Sequence, residues 1–178
     1  ALMYAVSVAE GNPALDYKNK VIHLAETLRA VLNTPTCEPY SLNPNLPQSS
    51  LGFWAWPTEW DCPDGECGED IGHGIEEAMF ADICYRNEIR DYSGNKLFYY
   101  DDMQKFGNTV AYILYNYPLD FWGTVCRNDN CQNCGSSHAE TNSLIGYWLF
   151  LAPYNPYIYQ IGSDFFSNAA IYNSASTL

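Results

Sequence analysis

Seven cysteines and three histidines are the residues most able to do chemistry in this chain of 178 residues. Cys126, Cys131 and Cys134 follow the spacing Cys-x4-Cys-x2-Cys, which matches one iron–sulfur pattern. That cluster needs a fourth cysteine downstream, and none follows Cys134. The same three thiols with His138 make a Cys3His set that would suit structural zinc. The plainer reading is disulfides in a tight loop. The remaining cysteines are Cys37, Cys62, Cys67 and Cys84. Seven is an odd number, so one thiol stays free or pairs between chains, and mid-helix Cys84 is the expected odd one.

Nucleophilic catalysis needs a Ser or Cys beside a usable base. No Gly-x-Ser-x-Gly elbow and no His-Glu-x-x-His helix occurs. His23 falls on a helix, His73 between two glycines and His138 in a Gly-Ser-Ser loop. Residues 59–77 hold eight acids (Glu59, Asp61, Asp64, Glu66, Glu69, Asp70, Glu76, Glu77) and neither Lys nor Arg. A solvated acidic loop accounts for them. A weak calcium site of oxygen ligands is the sharper alternative, but the ordered loop of an EF-hand is absent. Trp54, Trp56 and Trp60 adjoin this run. Aromatic anchors amid polar groups make a protein-binding hot spot. Equally, these tryptophans are core and the acids merely solvate the loop.

The elements that would carry these residues follow from periodicity. A first helix is capped by Asn12 with Pro13 in its first turn. Its apolar face is Val21, Ile22, Leu24, Ala25, Leu28, Val31 and Leu32, and Asn33-Thr34-Pro35 ends it. Five prolines between residues 35 and 57 forbid a long helix there. A second helix is expected over Ile75–Tyr92, stopped by Ser93-Gly94-Asn95. A third is expected over Asp101–Leu114, with Met103, Phe106, Val110, Ile113 and Leu114 inward and weakened by Gly107. Three strands are expected at Phe121–Cys126, Leu144–Ala152 and Tyr157–Ile161. Helices first and strands later, without alternation, point to an α+β fold with an antiparallel sheet.

Composition limits the function. Aromatic residues make up 16% of the chain, too many for a disordered protein. The net charge of −13 repels phosphate backbones and anionic membranes, so no nucleic-acid partner is expected. The longest apolar run, Leu144–Pro153, is too short to span a bilayer. Sparse lysine, abundant tyrosine and many cysteines point to an oxidising, extracellular setting. A chain opening at Ala1 reads as a processed product.

Leu28-Arg29, Gly72-His73-Gly74-Ile75, Tyr85-Arg86-Asn87-Glu88-Ile89-Arg90-Asp91-Tyr92 and Ile158-Tyr159-Gln160-Ile161-Gly162, taken in this order along the chain, resemble segments of the CAP (SCP/TAPS) superfamily. That family holds cysteine-rich secretory proteins, insect antigen 5, plant pathogenesis-related proteins and helminth venom-allergen-like proteins. Tyr85-Arg86-Asn87-Glu88-Ile89-Arg90-Asp91-Tyr92 resembles its Trp-x-x-Glu-x-x-x-Tyr helix. Gly72-His73-Gly74-Ile75 is similar to its Gly-Glu-Asn-Ile segment. Phe106-Gly107-Asn108-Thr109-Val110-Ala111-Tyr112 stands where the family has His-Tyr-Thr-Gln-Val-Val-Trp. Gly123-Thr124-Val125-Cys126, the stretch from Tyr147 to Pro156, and Ile158-Tyr159-Gln160-Ile161-Gly162 match later segments. Leu28-Arg29 matches a pair in the opening helix. The resemblance covers residues 16–163.

It implies a single CAP-like domain over 1–178, a three-layer α-β-α sandwich with a central antiparallel sheet. Residues 1–12 and 165–178 would be flexible or extended ends. It also implies a cleft formed by Glu66, His73, Glu88 and Phe106. In the family two His and two Glu there hold a divalent metal. Here Glu88 is retained, His73 takes a Glu position, Glu66 falls near a His, and Phe106 replaces a ligand with apolar bulk. No metal, cofactor or catalytic residue is therefore expected. The implied function is a secreted, non-enzymatic binding protein acting on a protein partner or lipid, as an immunomodulator or effector. The alternatives are an extracellular structural subunit that self-assembles as a homo-oligomer, and a metal-dependent hydrolase.

Overall fold

A computed structural model of the chain describes residues 2–9, 11, 15–32, 52–54, 56, 71–116, 120–121 and 145–175. Helix α1 spans Leu2–Ala9 and α2 spans Leu15–Leu32. On α2, Val21, Ile22, Ala25, Leu28 and Leu32 are buried at helical spacing, while Leu24 faces solvent. The expected Asn12 cap lies outside the described residues.

Helix α3 spans Ile71–Arg86, earlier at both ends than periodicity predicts. Its stop is a Schellman arrangement. The Ile89 N–H donates to the Cys84 carbonyl at 3.0 Å, and the Glu88 N–H donates to the Tyr85 carbonyl at 3.1 Å. Glu88 has φ 48°, a left-handed conformation that glycine adopts more cheaply. Ile89 and Cys84 are both buried, supplying the apolar contact that goes with this motif. Ser93-Gly94-Asn95 does not end the helix. It forms the tip of a turn closed by an antiparallel bridge between Arg90 and Lys96.

Helix α4 spans Tyr100–Asn108 and runs into a π-helical segment, Thr109–Leu114. Met103, Phe106, Val110, Ile113 and Leu114 are all buried, as their spacing predicts. Gly107 has a positive role here. A Cβ at that position would stand 3.0 Å from the Asn155 Cβ, so its absence lets the next layer approach. At the other end of α4, Asp102 accepts from the Tyr99 N–H at 2.9 Å and pairs with Arg29 of α2 at 3.0 Å.

The expected sandwich does not form. Of the described residues, 75% are helical and 3% are in strands. Strands β1 (Tyr115–Asn116) and β2 (Asp120–Phe121) form one short antiparallel pair, with Tyr115 opposite Phe121. No central sheet exists among the described residues. Of the strand expected at Phe121–Cys126, only Phe121 is described. The one expected at Leu144–Ala152 is instead helix α5 (Ile145–Trp148) followed by a 3-10 turn, Leu149–Leu151. The one expected at Tyr157–Ile161 lies within helix α6 (Pro156–Ala175), which also occupies residues expected to be an extended end. Residues 2–9 are likewise helical.

The physical reason is local. A short apolar run does not distinguish a strand from a buried helix. Trp148 and Leu151 are buried three residues apart, and Ile158, Ile161 and Gly162 share one helical face. Asn155 caps α6, its Oδ1 accepting the Tyr157 N–H at 3.0 Å, and Pro156 fills the first helical position. Side chains from α2, α3, α4, the π-helix, α5 and α6 form one core cluster with Trp56.

Candidate functional site

The residues singled out from sequence fall into separate places. Trp56 is buried and meets the buried Phe106 edge-on, with ring centroids 5.5 Å apart. Its indole N–H donates to Glu77 of α3. Trp56 and Phe106 are therefore brought together, in the core. Trp54 is only partly buried. Its backbone N–H donates to the Thr109 hydroxyl at 3.1 Å, and Lys105 Nζ lies 4.2 Å from its ring. Trp60 and Glu66 lie outside the described residues. So do the Cys126-Cys131-Cys134 loop, His138 and most of the acidic run. Cys84 is free and buried.

His73 and Glu88 stand at opposite ends of α3. The intervening turns rise 1.5 Å per residue, which puts the two roughly 20 Å apart along the axis. Glu88 instead pairs with Lys96 at 2.6 Å. The hydrogen bond from Lys96, then its charge, holds the Glu88 carboxyl below the usual carboxylate range. Among the described residues, no three His, Cys, Asp or Glu side chains gather to hold a metal ion.

What the fold does gather is a tyrosine face at the junction of α3 and α4. The rings of Tyr85, Tyr100 and Tyr154 lie 5.8 to 6.4 Å from one another. Beneath them Tyr154 donates its hydroxyl to Asp82 at 2.5 Å. Arg86 Nε donates to the same carboxylate at 2.9 Å, and its guanidinium lies 5.9 Å from the Tyr154 ring. Burial, then the bond to Asp82, raises the Tyr154 hydroxyl well above its ordinary value. The hydrogen bond to Asp82 raises Arg86 further. At neutral pH Tyr154 stays a donor and Arg86 a cation. The Tyr154 O–H and the Arg86 Nε–H both donate to Asp82, so the group holds its shape.

Tyr100, whose ring meets those of Tyr85 and Tyr154, is 45% exposed, and its chain neighbours Tyr99, 48% exposed, and Asp101 are exposed at the start of α4. Sequence reasoning did not single out this face. Its signal was Asp82, Tyr85 and Arg86 at helical spacing, together with the tandem Tyr99-Tyr100. The distant Tyr154 had no local cue. No family model, no curated protein and no solved structure matches this chain.

Proposed function

We propose that the chain is a non-enzymatic binding protein acting outside the cell, and that the tyrosine face at the α3–α4 junction receives a protein partner. The observation that carries this is the half exposure of Tyr100, whose ring rests on Tyr85 and Tyr154 over the Asp82–Arg86 pair, with Tyr99 equally exposed beside it in the chain. Tyrosine offers a large amphipathic contact at low conformational cost. A fixed floor further limits what is lost on binding. The net charge of −13 favours a partner with a basic surface and would speed its approach more than it strengthens the final complex. The cysteine content supports the extracellular setting.

Selection from a displayed random-peptide library tests the reading. Immobilised wild-type chain should enrich basic, aromatic-containing peptides. A folded Tyr99→Ala/Tyr100→Ala variant should fail to retain them. Enrichment indifferent to the two tyrosines would mean that recognition lies elsewhere.

A further inference from the structure

Helix α6 presents a second, chemically different surface. Tyr159, Ser163 and Phe166 lie four and seven residues apart, on one face. Tyr159 is 74% exposed and Phe166 is 50% exposed. The adjoining face, with Ile158, Ile161 and Gly162, is seated on the core, and Gly162 packs against Leu149. Phe166 is held in place: a Cβ on Gly146 would come within 3.3 Å of its ring. Tyr147, beside Gly146, is exposed as well.

Charge decides what covers this face. Residues 145–178 contain one charged side chain, Asp164, which accepts a hydrogen bond from Gln160 at 2.8 Å. The other −12 of the net charge belongs to residues 1–144. A basic partner finds little here to pair with. A second copy of this strongly acidic chain is repelled over most surfaces, but least where its charge is sparsest, with Asp164 the one acid of this segment.

We infer that the Tyr159–Phe166 face of α6 is a self-association surface, on which two copies pair their α6 helices antiparallel about a two-fold axis near Ser163. The midpoint of Tyr159 and Phe166 falls between Gly162 and Ser163. Antiparallel pairing therefore sets Tyr159 of each copy opposite Phe166 of the other, an isologous contact. The small Ser163 side chain at the crossing lets the axes approach to roughly 8–10 Å. Three partly exposed rings supply on the order of 400 Å² per copy, about half of what a standard interface buries on each side. The dimer is therefore weak and concentration-dependent.

Sedimentation equilibrium in reductant, on the full chain up to about 1 mM at low and at roughly 0.5 M salt, tests this. Association should strengthen at least about threefold with salt, because screening relieves repulsion between like-charged copies. A contact with a basic partner would weaken instead. Tyr159→Ser should weaken association about tenfold with helicity unchanged by circular dichroism, while Tyr99→Ala/Tyr100→Ala should leave it intact. In a separate sample, Ser163→Cys under mild oxidation should give a link between the two introduced thiols, located by peptide mapping. A monomer throughout the range at high salt would overturn the inference. So would a dimer that ignores Tyr159→Ser and forms no such link.

Discussion

Tyr154 and Asp82 lie 72 positions apart in the chain, yet the tyrosine hydroxyl donates to the carboxylate at 2.5 Å. Both residues are buried. The bond ties α3 to the turn before α6, and Arg86 completes the carboxylate's shell from one turn further along α3. Tyr154→Phe removes the donor and keeps the ring. A hydrogen bond to a charged acceptor contributes about 1.5–3 kcal/mol, so the variant should lose about that much stability and unfold at a lower urea midpoint. The slope of the transition should be unchanged. An unaltered midpoint would show that the pair does not hold these layers together.

Glu88 supplies a prediction of opposite sign. Its left-handed backbone costs roughly 1 kcal/mol more in glutamate than in glycine. Its pair with Lys96 is largely exposed, and such pairs contribute little. Glu88→Gly should therefore raise stability by about 0.5–1 kcal/mol. Glu88→Ala keeps the strain and loses the pair, so it should be neutral or slightly destabilising. A stabilising alanine together with a destabilising glycine would contradict the Schellman assignment.

Alkaline pH should weaken the fold through Cys84. Burial pushes its thiol up from 9.0 to about 12. Below about pH 9 the thiol is protonated in both folded and unfolded chains, and its contribution is fully present. Between about pH 9 and 12 only the unfolded chain ionises, so stability falls by at most about 1.4 kcal/mol per pH unit. Tyr154, also raised, adds to the fall at the upper end. Urea unfolding in reductant at several pH values checks this. The drop should be smaller in Cys84→Ala than in wild type, and equal slopes would refute the assignment.

The helical half of the molecule was legible because its period is strong. Val21, Ile22, Ala25, Leu28 and Leu32 of α2 and the inward residues Met103, Phe106, Val110, Ile113 and Leu114 follow from 3.6-residue spacing alone, whereas Leu24, expected on the same face, is exposed and Val31 is only partly buried. The late segments were misread because Leu144–Ala152 is nearly all apolar, and continuous apolarity has no period to read. Yet Asn155-Pro156 carries the same cap-and-proline signal that Asn12-Pro13 does. Weighing it would have turned Tyr157–Ile161 from a strand into a helix start. The end of α3 was hidden for a different reason. Its left-handed stop falls on a glutamate, while the nearby Gly94 offers the more familiar signal six residues later. Of the residues aligned to a CAP-like cleft, His73 sits in the first turn of α3 and Glu88 just past its end, too far apart to meet, while Phe106 is buried on α4 and Glu66 lies outside the described residues. The tyrosine face joins α3, α4 and the turn before α6, a juxtaposition that no single sequence window contains.

Trp56 separates the two readings that the tryptophans allowed. Full burial and the edge-on contact with Phe106 place it in the core. Trp56→Ala should cost about 3–5 kcal/mol, the usual range for deleting a buried aromatic. It also leaves the Glu77 carboxylate without the indole donor it now accepts from. Trp54→Ala should cost clearly less, because that ring is partly exposed. Replacing Trp56 and Phe106 by leucine, singly and together, measures their contact directly. The double variant should be less destabilised than the sum of the singles by about 0.5–1.5 kcal/mol, the coupling expected of an aromatic pair. Strict additivity would mean that the two rings are merely buried near each other. A Trp56→Ala variant that keeps its full stability and loses only partner binding would return Trp56 to the surface and overturn its place in this core.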